Sequence, residues 1–82
     1  MGSSAISYRD PTIKQLVDDW GDDKGLVATD QIAMHLEERF HVATVHVVAA
    51  VDQGDFLILQ LTTDRWQEPR EFGLLSDGSL SW

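Results

Sequence analysis

The stretch HVATVHVVAAVDQ, residues 41–53, decides the fold of this chain. Read with a period of two, Ala43, Val45, Val47, Ala49 and Val51 fall on one face, and the valines together with Thr44 favour a strand by propensity. Read with helical spacing, Val42, Val45, Val48 and Ala49 form one stripe, with Thr44 as a cap. Periodicity cannot arbitrate a run this uniformly apolar. A helix over 43–53 and a strand both stay open.

On the C-terminal side the reading is firmer. DQGD (52–55) is a turn, and FLILQLTTD (56–64) is a strand with Leu57, Leu59 and Leu61 on one face and Phe56 and Ile58 on the other. RWQEPRE (65–71) is a polar loop stiffened by Pro69. FGLL is a second strand, SDGS a tight turn and LSW the end. A β-hairpin over 55–62 and 71–76 follows.

On the N-terminal side, LVATDQIAMHLEERF (26–40) begins with a short apolar segment. Thr29 or Asp30 offers an N-cap, and Ile32, Ala33, Leu36 and Phe40 recur at helical spacing, which predicts a helix over 29–40. Before it, Asp10 caps a helix over 10–20, Pro11 takes its first position, and Ile13, Leu16, Val17 and Trp20 make its apolar stripe. The glycines of GDDKG (21–25) end that helix.

The whole chain is 82 residues, with fourteen Asp and Glu against six Lys and Arg and a net charge of −8. That length predicts a single domain over 1–82, with 1–8 expected to be flexible or vector-derived. A chain this short buries only about 60% of its unfolded surface. The 43% hydrophobic content is ordinary for a folded protein and too high for a disordered acidic tail. The absence of cysteine excludes disulfides, thiolate nucleophiles and Cys-ligated metal. No apolar run is long enough to span a membrane and no secretion signal is present, so an intracellular, cytoplasmic location is expected. Ten of the acids are Asp, a bias that fits high-salt adaptation, a basic partner or simply a solvated surface.

The order of helix, short strand, capped helix, third element and hairpin resembles the winged helix-turn-helix superfamily. GLVATDQIAMHLEERF and VATVHVVAAVDQGDFLIL carry the likeness, which covers roughly residues 10–75. The resemblance implies a small α+β winged-helix domain with helices at 10–20, 29–40 and 43–53, then a hairpin whose tip is the wing. If 41–51 is a strand instead, the fold becomes two helices followed by a three-stranded antiparallel meander.

Winged-helix proteins most often bind DNA, with the third helix in the major groove. Between 41 and 51, however, the polar side chains are His41, Thr44 and His46, with no Arg or Lys. A net charge of −8 also opposes phosphate contacts. Arg65, Trp66 and Arg70 are the residues left for a nucleic-acid reading, and Glu68 and Glu71 dilute them.

A protein partner fits better. A third helix apolar all round would need cover on both faces, which implies docking through Val45 and Val48 or a homodimer. Trp66 and Trp82 add anchors of a kind enriched at hot spots. Asp18, Asp19, Asp22 and Asp23, with Glu37 and Glu38, form acidic patches that could guide a basic partner. They could also mimic a run of phosphates, and anti-CRISPR and anti-restriction proteins share this size and acidity.

Calcium is not expected: an EF-hand loop started at Asp19 puts Lys24 where Gly is needed and Asp30 where Glu is needed. His35, His41 and His46 have no zinc-ligand spacing, so neither a metal nor any other cofactor is expected. No nucleophile elbow, phosphate loop or dinucleotide fingerprint is present, and no catalytic residue is assigned. The expectation is a non-enzymatic regulator, adaptor or inhibitor that binds a protein, with a DNA-binding regulator as the alternative.

Overall fold

A computed structural model describes residues 5–82. Its elements in chain order are β1 (Ala5–Tyr8), α1 (Pro11–Lys24), α2 (Ala28–Phe40), β2 (Thr44–Asp52), β3 (Phe56–Thr62), β4 (Arg70–Leu75) and β5 (Leu80–Ser81). The strands form one five-stranded sheet in the order β1-β2-β3-β4-β5. β1 is parallel to β2 and every other pairing is antiparallel. Parallel neighbours need a crossover connection, and the two helices supply it. No described helix is long and apolar enough to cross a membrane.

Residues 44–52 are a strand, not a helix. Of the two architectures left open, two helices followed by the β2-β3-β4 meander is the one present, enlarged by β1 and β5. The third helix over 43–53 does not form, and the reason is tertiary. β2 pairs with β1 on one edge and β3 on the other, so its backbone is satisfied on both sides and its β-branched residues sit on a pleated surface. α2 is stopped just before it by His41, in the left-handed region at φ 55°, whose N–H bonds Glu37 O at 3.1 Å.

A second correction concerns the face of β2. Val45 and Val47 point inward and are fully buried, but the register shifts between Val47 and Ala49. That bulge absorbs Val48 and switches the parity. Ala50 then packs inward opposite Leu59, while Ala49 and Val51 turn outward with Gln60 and Ile58. The five-residue face read from strict alternation is therefore split between the two sides of the sheet.

The expectation that 1–8 lack structure is corrected in part. Residues 5–8 are β1, aligned from Ala5 opposite Thr44 to Tyr8 opposite Val47, whereas 1–4 lie outside the described residues. α1 starts as the sequence indicates, with Asp10 Oδ1 accepting from Ile13 N at 3.1 Å and Pro11 at its first position. It runs one turn past residue 20, and Gly21 is a buried helical residue rather than a terminator. A Cβ there would sit 2.8 Å from Leu26 O and 3.1 Å from Ala28 Cβ, so glycine is what lets the two helices approach. The cap is Gly25, at φ 75°.

Residues 26 and 27 are a connection, not a strand, and Ala28 already belongs to α2. Val27 occupies the N-cap without a side-chain bond, so neither Thr29 nor Asp30 caps. Thr29 Oγ1 instead bonds the Tyr8 hydroxyl and ties α2 to β1.

The core lies between the helices and one face of the sheet. Val17, Trp20, Ile32 and Leu36 meet Val45, Val47, Leu57, Leu59, Leu61, Phe72 and Leu74 there. The Trp20 indole also donates to Gly54 O at 3.1 Å, fixing α1 to the β2–β3 turn.

Candidate functional site

The fold gathers four aromatic side chains at one end of the molecule. α2 delivers Phe40 in its last turn, the β3–β4 loop delivers Trp66, β4 delivers Phe72 from its inner face, and β5 leads into Trp82. Phe40 is the hub: its ring lies 5.7 Å from Trp66, 5.8 Å from Phe72 and 5.4 Å from Trp82, edge-on to each. Trp66 stacks on Phe72 at 5.8 Å. Edge-to-face and offset-stacked pairs are the arrangements that aromatic quadrupoles favour, so the cluster is an ordered support.

The loop that carries Trp66 is held by buried Thr63. Its Oγ1 accepts from Arg65 N at 3.1 Å, and its carbonyl accepts from Trp66 N at 3.3 Å. An open hollow of about 520 Å³ follows, lined by residues 65–70.

Two arginines complete this end. Arg39 lies 5.5 Å over the Trp82 ring and Arg70 lies 4.5 Å over Trp66. Among the described residues the ion pairs are made by lysines, Lys14 with Asp18 at 2.6 Å and Lys24 with Asp23 at 3.4 Å. Among the described residues Arg39, Arg65 and Arg70 have no carboxylate within ion-pair distance. Trp82 is 60% exposed and Trp66 half-buried.

The other residues singled out from the sequence fall elsewhere. Val45 is fully buried in the core, so it offers nothing to a partner, and Val48 is the half-buried bulge residue. The six acids are divided between the two helices. Asp18, Asp19, Asp22 and Asp23 lie on α1, around Trp20, whose indole bonds the β2–β3 turn. Glu37 and Glu38 lie in the last turn of α2, which ends at Phe40.

Arg65, Trp66 and Arg70 do share one hollow, but with Glu68, and the third helix expected over 43–53 to enter a groove is the strand β2. The histidines are dispersed. His35 donates from Nε2 to Gly78 O at 2.8 Å, His46 Nδ1 pairs with Ser7 Oγ at 2.6 Å on an exposed strand, and His41 caps α2. Among the described residues no cluster of three metal-ligating side chains occurs.

Three groups carry altered proton affinities. Burial pushes the Tyr8 phenol above its ordinary range. The hydrogen bond to Asp18 raises the exposed Lys14 ammonium. The Ser79 side chain and backbone N–H, both donating to Oδ1 of Asp77, lower that exposed carboxyl. All three are accounted for by structural contacts in the edge strand, helix and turn.

Sequence reading missed Arg39, Phe40 and Phe72 as parts of the aromatic end. The available signal was weak: Arg39 and Phe40 read as the close of an amphipathic helix, and nothing in their spacing links them to residues 66 or 82. No family model matches the chain, and no curated protein or solved structure shows significant similarity to it.

Proposed function

We propose that this chain is a non-catalytic interaction protein, a small acidic regulator, adaptor or inhibitor, that docks a protein partner through its aromatic–arginine end. The observation that carries the reading is the stacking of Arg39 on exposed Trp82 and of Arg70 on Trp66, over a Phe40–Phe72 support. Tryptophan and arginine dominate the energetics of protein interfaces because they combine a large apolar area with directed polar contacts. Here the packed rings already hold the side chains in place, so docking loses little rotamer entropy. Charge mimicry has less support, since the six acids are split between two helices, α1 and α2.

A duplex-binding regulator is the competing reading, favoured by the shared location of Arg39, Arg65 and Arg70. The third helix that would read base edges is the strand β2, and Glu37, Glu38, Asp64 and Glu68 flank those arginines in the sequence.

The test is site-specific photocrosslinking in the native cell, with benzoylphenylalanine replacing Trp82 in one variant and Met34, an exposed residue elsewhere on α2, in another. Discrete protein adducts from position 82, lost when Arg39→Glu and Arg70→Glu are added, support the proposal. Equal adducts from both positions overturn it. Anisotropy of a labelled random duplex between about 20 and 300 mM salt decides the alternative, because phosphate contacts give a steep salt slope.

A further inference from the structure

The face of the sheet turned away from the helices is a second surface, which meets the aromatic end at Trp82. Val51, Ile58, Gly73 and Ser81 are successive cross-strand neighbours on it, with Phe56 opposite Leu75 alongside. Val51, Phe56 and Leu75 are exposed there, although large and apolar. Two adjoining hollows, of about 270 and 180 Å³, share Ile58 and Glu71 as the ridge between them. Gly73 leaves the larger one open, since a Cβ at that position would have no neighbour closer than Phe56 Cδ2 at 4.0 Å.

The distribution of charge says what such a face accepts. Of the fourteen acids, eight sit on the helices and on Asp10, which caps α1, all on the opposite layer. Among the outward strand positions, Glu71 is the single acid and no Lys or Arg is present. A basic partner would find almost nothing to pair with here. A second copy would match, with two faces uncharged except for Glu71 brought together and the two acidic helical layers pointing apart. A ridge beside a hollow on one face is also what a two-fold axis makes self-complementary.

We propose that the outer sheet face, centred on Ile58 and Gly73, is the contact between two copies of this chain. The larger hollow is also lined by Phe72 and Trp82, so the two surfaces adjoin, and substitutions at Ile58 and Gln60, which leave Trp82 in place, separate this proposal from the docking reading. Strand spacing near 4.8 Å and a rise near 3.3 Å per residue give a footprint of roughly 500 Å² per copy. The total of roughly 1,000 Å² is at the lower limit for a specific interface. The dimer is therefore weak and concentration-dependent, with a dissociation constant on the order of micromolar.

Sedimentation equilibrium from about 5 to 500 μM, concentrations bracketing that affinity, is the first measurement. The expected result is a rise from 9.2 kDa toward twice that mass. Association should tighten severalfold from about 20 to 500 mM salt, because screening removes the repulsion between two chains of charge −8. Ile58→Asp should stay folded by circular dichroism and sediment as a monomer, while Glu71→Gln should strengthen association.

Because the chain has no cysteine, single cysteines give a check that does not depend on Ile58→Asp folding. Gln60→Cys on this face should oxidise to a covalent dimer far more readily than Met34→Cys on α2. A monomer at the highest concentration and salt, an Ile58→Asp dimer, or equal crosslinking at positions 60 and 34 would each overturn the proposal.

Discussion

The two faces of the sheet are built by the same strands and differ in almost every physical respect. The inner face presents Val45, Val47, Leu57, Leu59, Leu61 and Leu74 to the helices, and each is completely buried. The outer face presents Ala49, Val51, Phe56, Ile58 and Leu75, which are half-buried or exposed. Apolar character alone therefore does not tell core from surface in this chain. What tells them apart is side-chain parity relative to the helical layer, and in β2 that parity is reset by one bulged residue.

The comparison breaks most sharply under truncation. Leu59→Ala should destabilise the protein by about 2–5 kcal/mol, the range for deleting a fully buried leucine side chain. Its neighbour Ile58→Ala should cost about 1 kcal/mol or less when measured at dilution, where copies are dissociated. Urea melts of the two variants test this, and equal losses would mean that the outer face is part of a covered core.

The glycines give a second contrast. Gly21→Ala improves intrinsic helix propensity by about 1 kcal/mol, yet the new methyl must push against Leu26 O and Ala28. The net expectation is a loss of about 1–3 kcal/mol from overpacking. Gly73→Ala meets open space and should be neutral within about 0.5 kcal/mol. Thermal melts of both would show whether the helical layer is as tightly seated on the inner face as the geometry requires.

Deleting Val48 sharpens the argument about parity. Removing the bulged residue leaves Val47 and Ala50 inward and Ala49 and Val51 outward, so the fold should survive with a loss of about 1–2 kcal/mol. An unfolded deletion variant would show that β2 depends on the bulge itself. Backbone amide shifts from NMR can distinguish a repaired ladder from a slipped one.

The smallest effect is at the edge, where β1 meets α2. Tyr8 is the single tyrosine, and its hydroxyl is hydrogen-bonded to Thr29. With the folded-state pKa raised by burial, its contribution is fully present below the unfolded value of about 10 and is lost as pH rises through the folded value. Phenolate absorbance should therefore appear at higher pH in the native protein than in urea. Coincident titrations would mean that β1 does not hold Tyr8 against the helices.

Much of the framework was legible in the residues. Asp10 and Pro11 mark the start of α1 because an extended cap and a fixed φ suit that position. Leu57, Leu59 and Leu61 mark β3 because period-two alternation has one physical meaning. Ile32, Ala33, Leu36 and Phe40 mark α2 because their spacing makes one stripe. Of the candidate site, Trp66, Arg70 and Trp82 were named from composition, but not the contacts that join them.

What the sequence determined by itself is thus local: the cap of α1, turns, the hairpin, the uncharged character of the strands and the absence of thiol chemistry. Tertiary structure decided the rest. Residues 44–52 became a strand because β1 and β3 offered hydrogen-bonding edges that local periodicity does not contain. Gly21 continued the helix because the neighbouring backbone came within reach of a missing Cβ. Phe40, Trp66, Phe72 and Trp82 met because the sheet register brings together residues that pattern reading treats as independent. Each outcome depends on a contact between residues distant along the chain, and such contacts exist once the layers have packed.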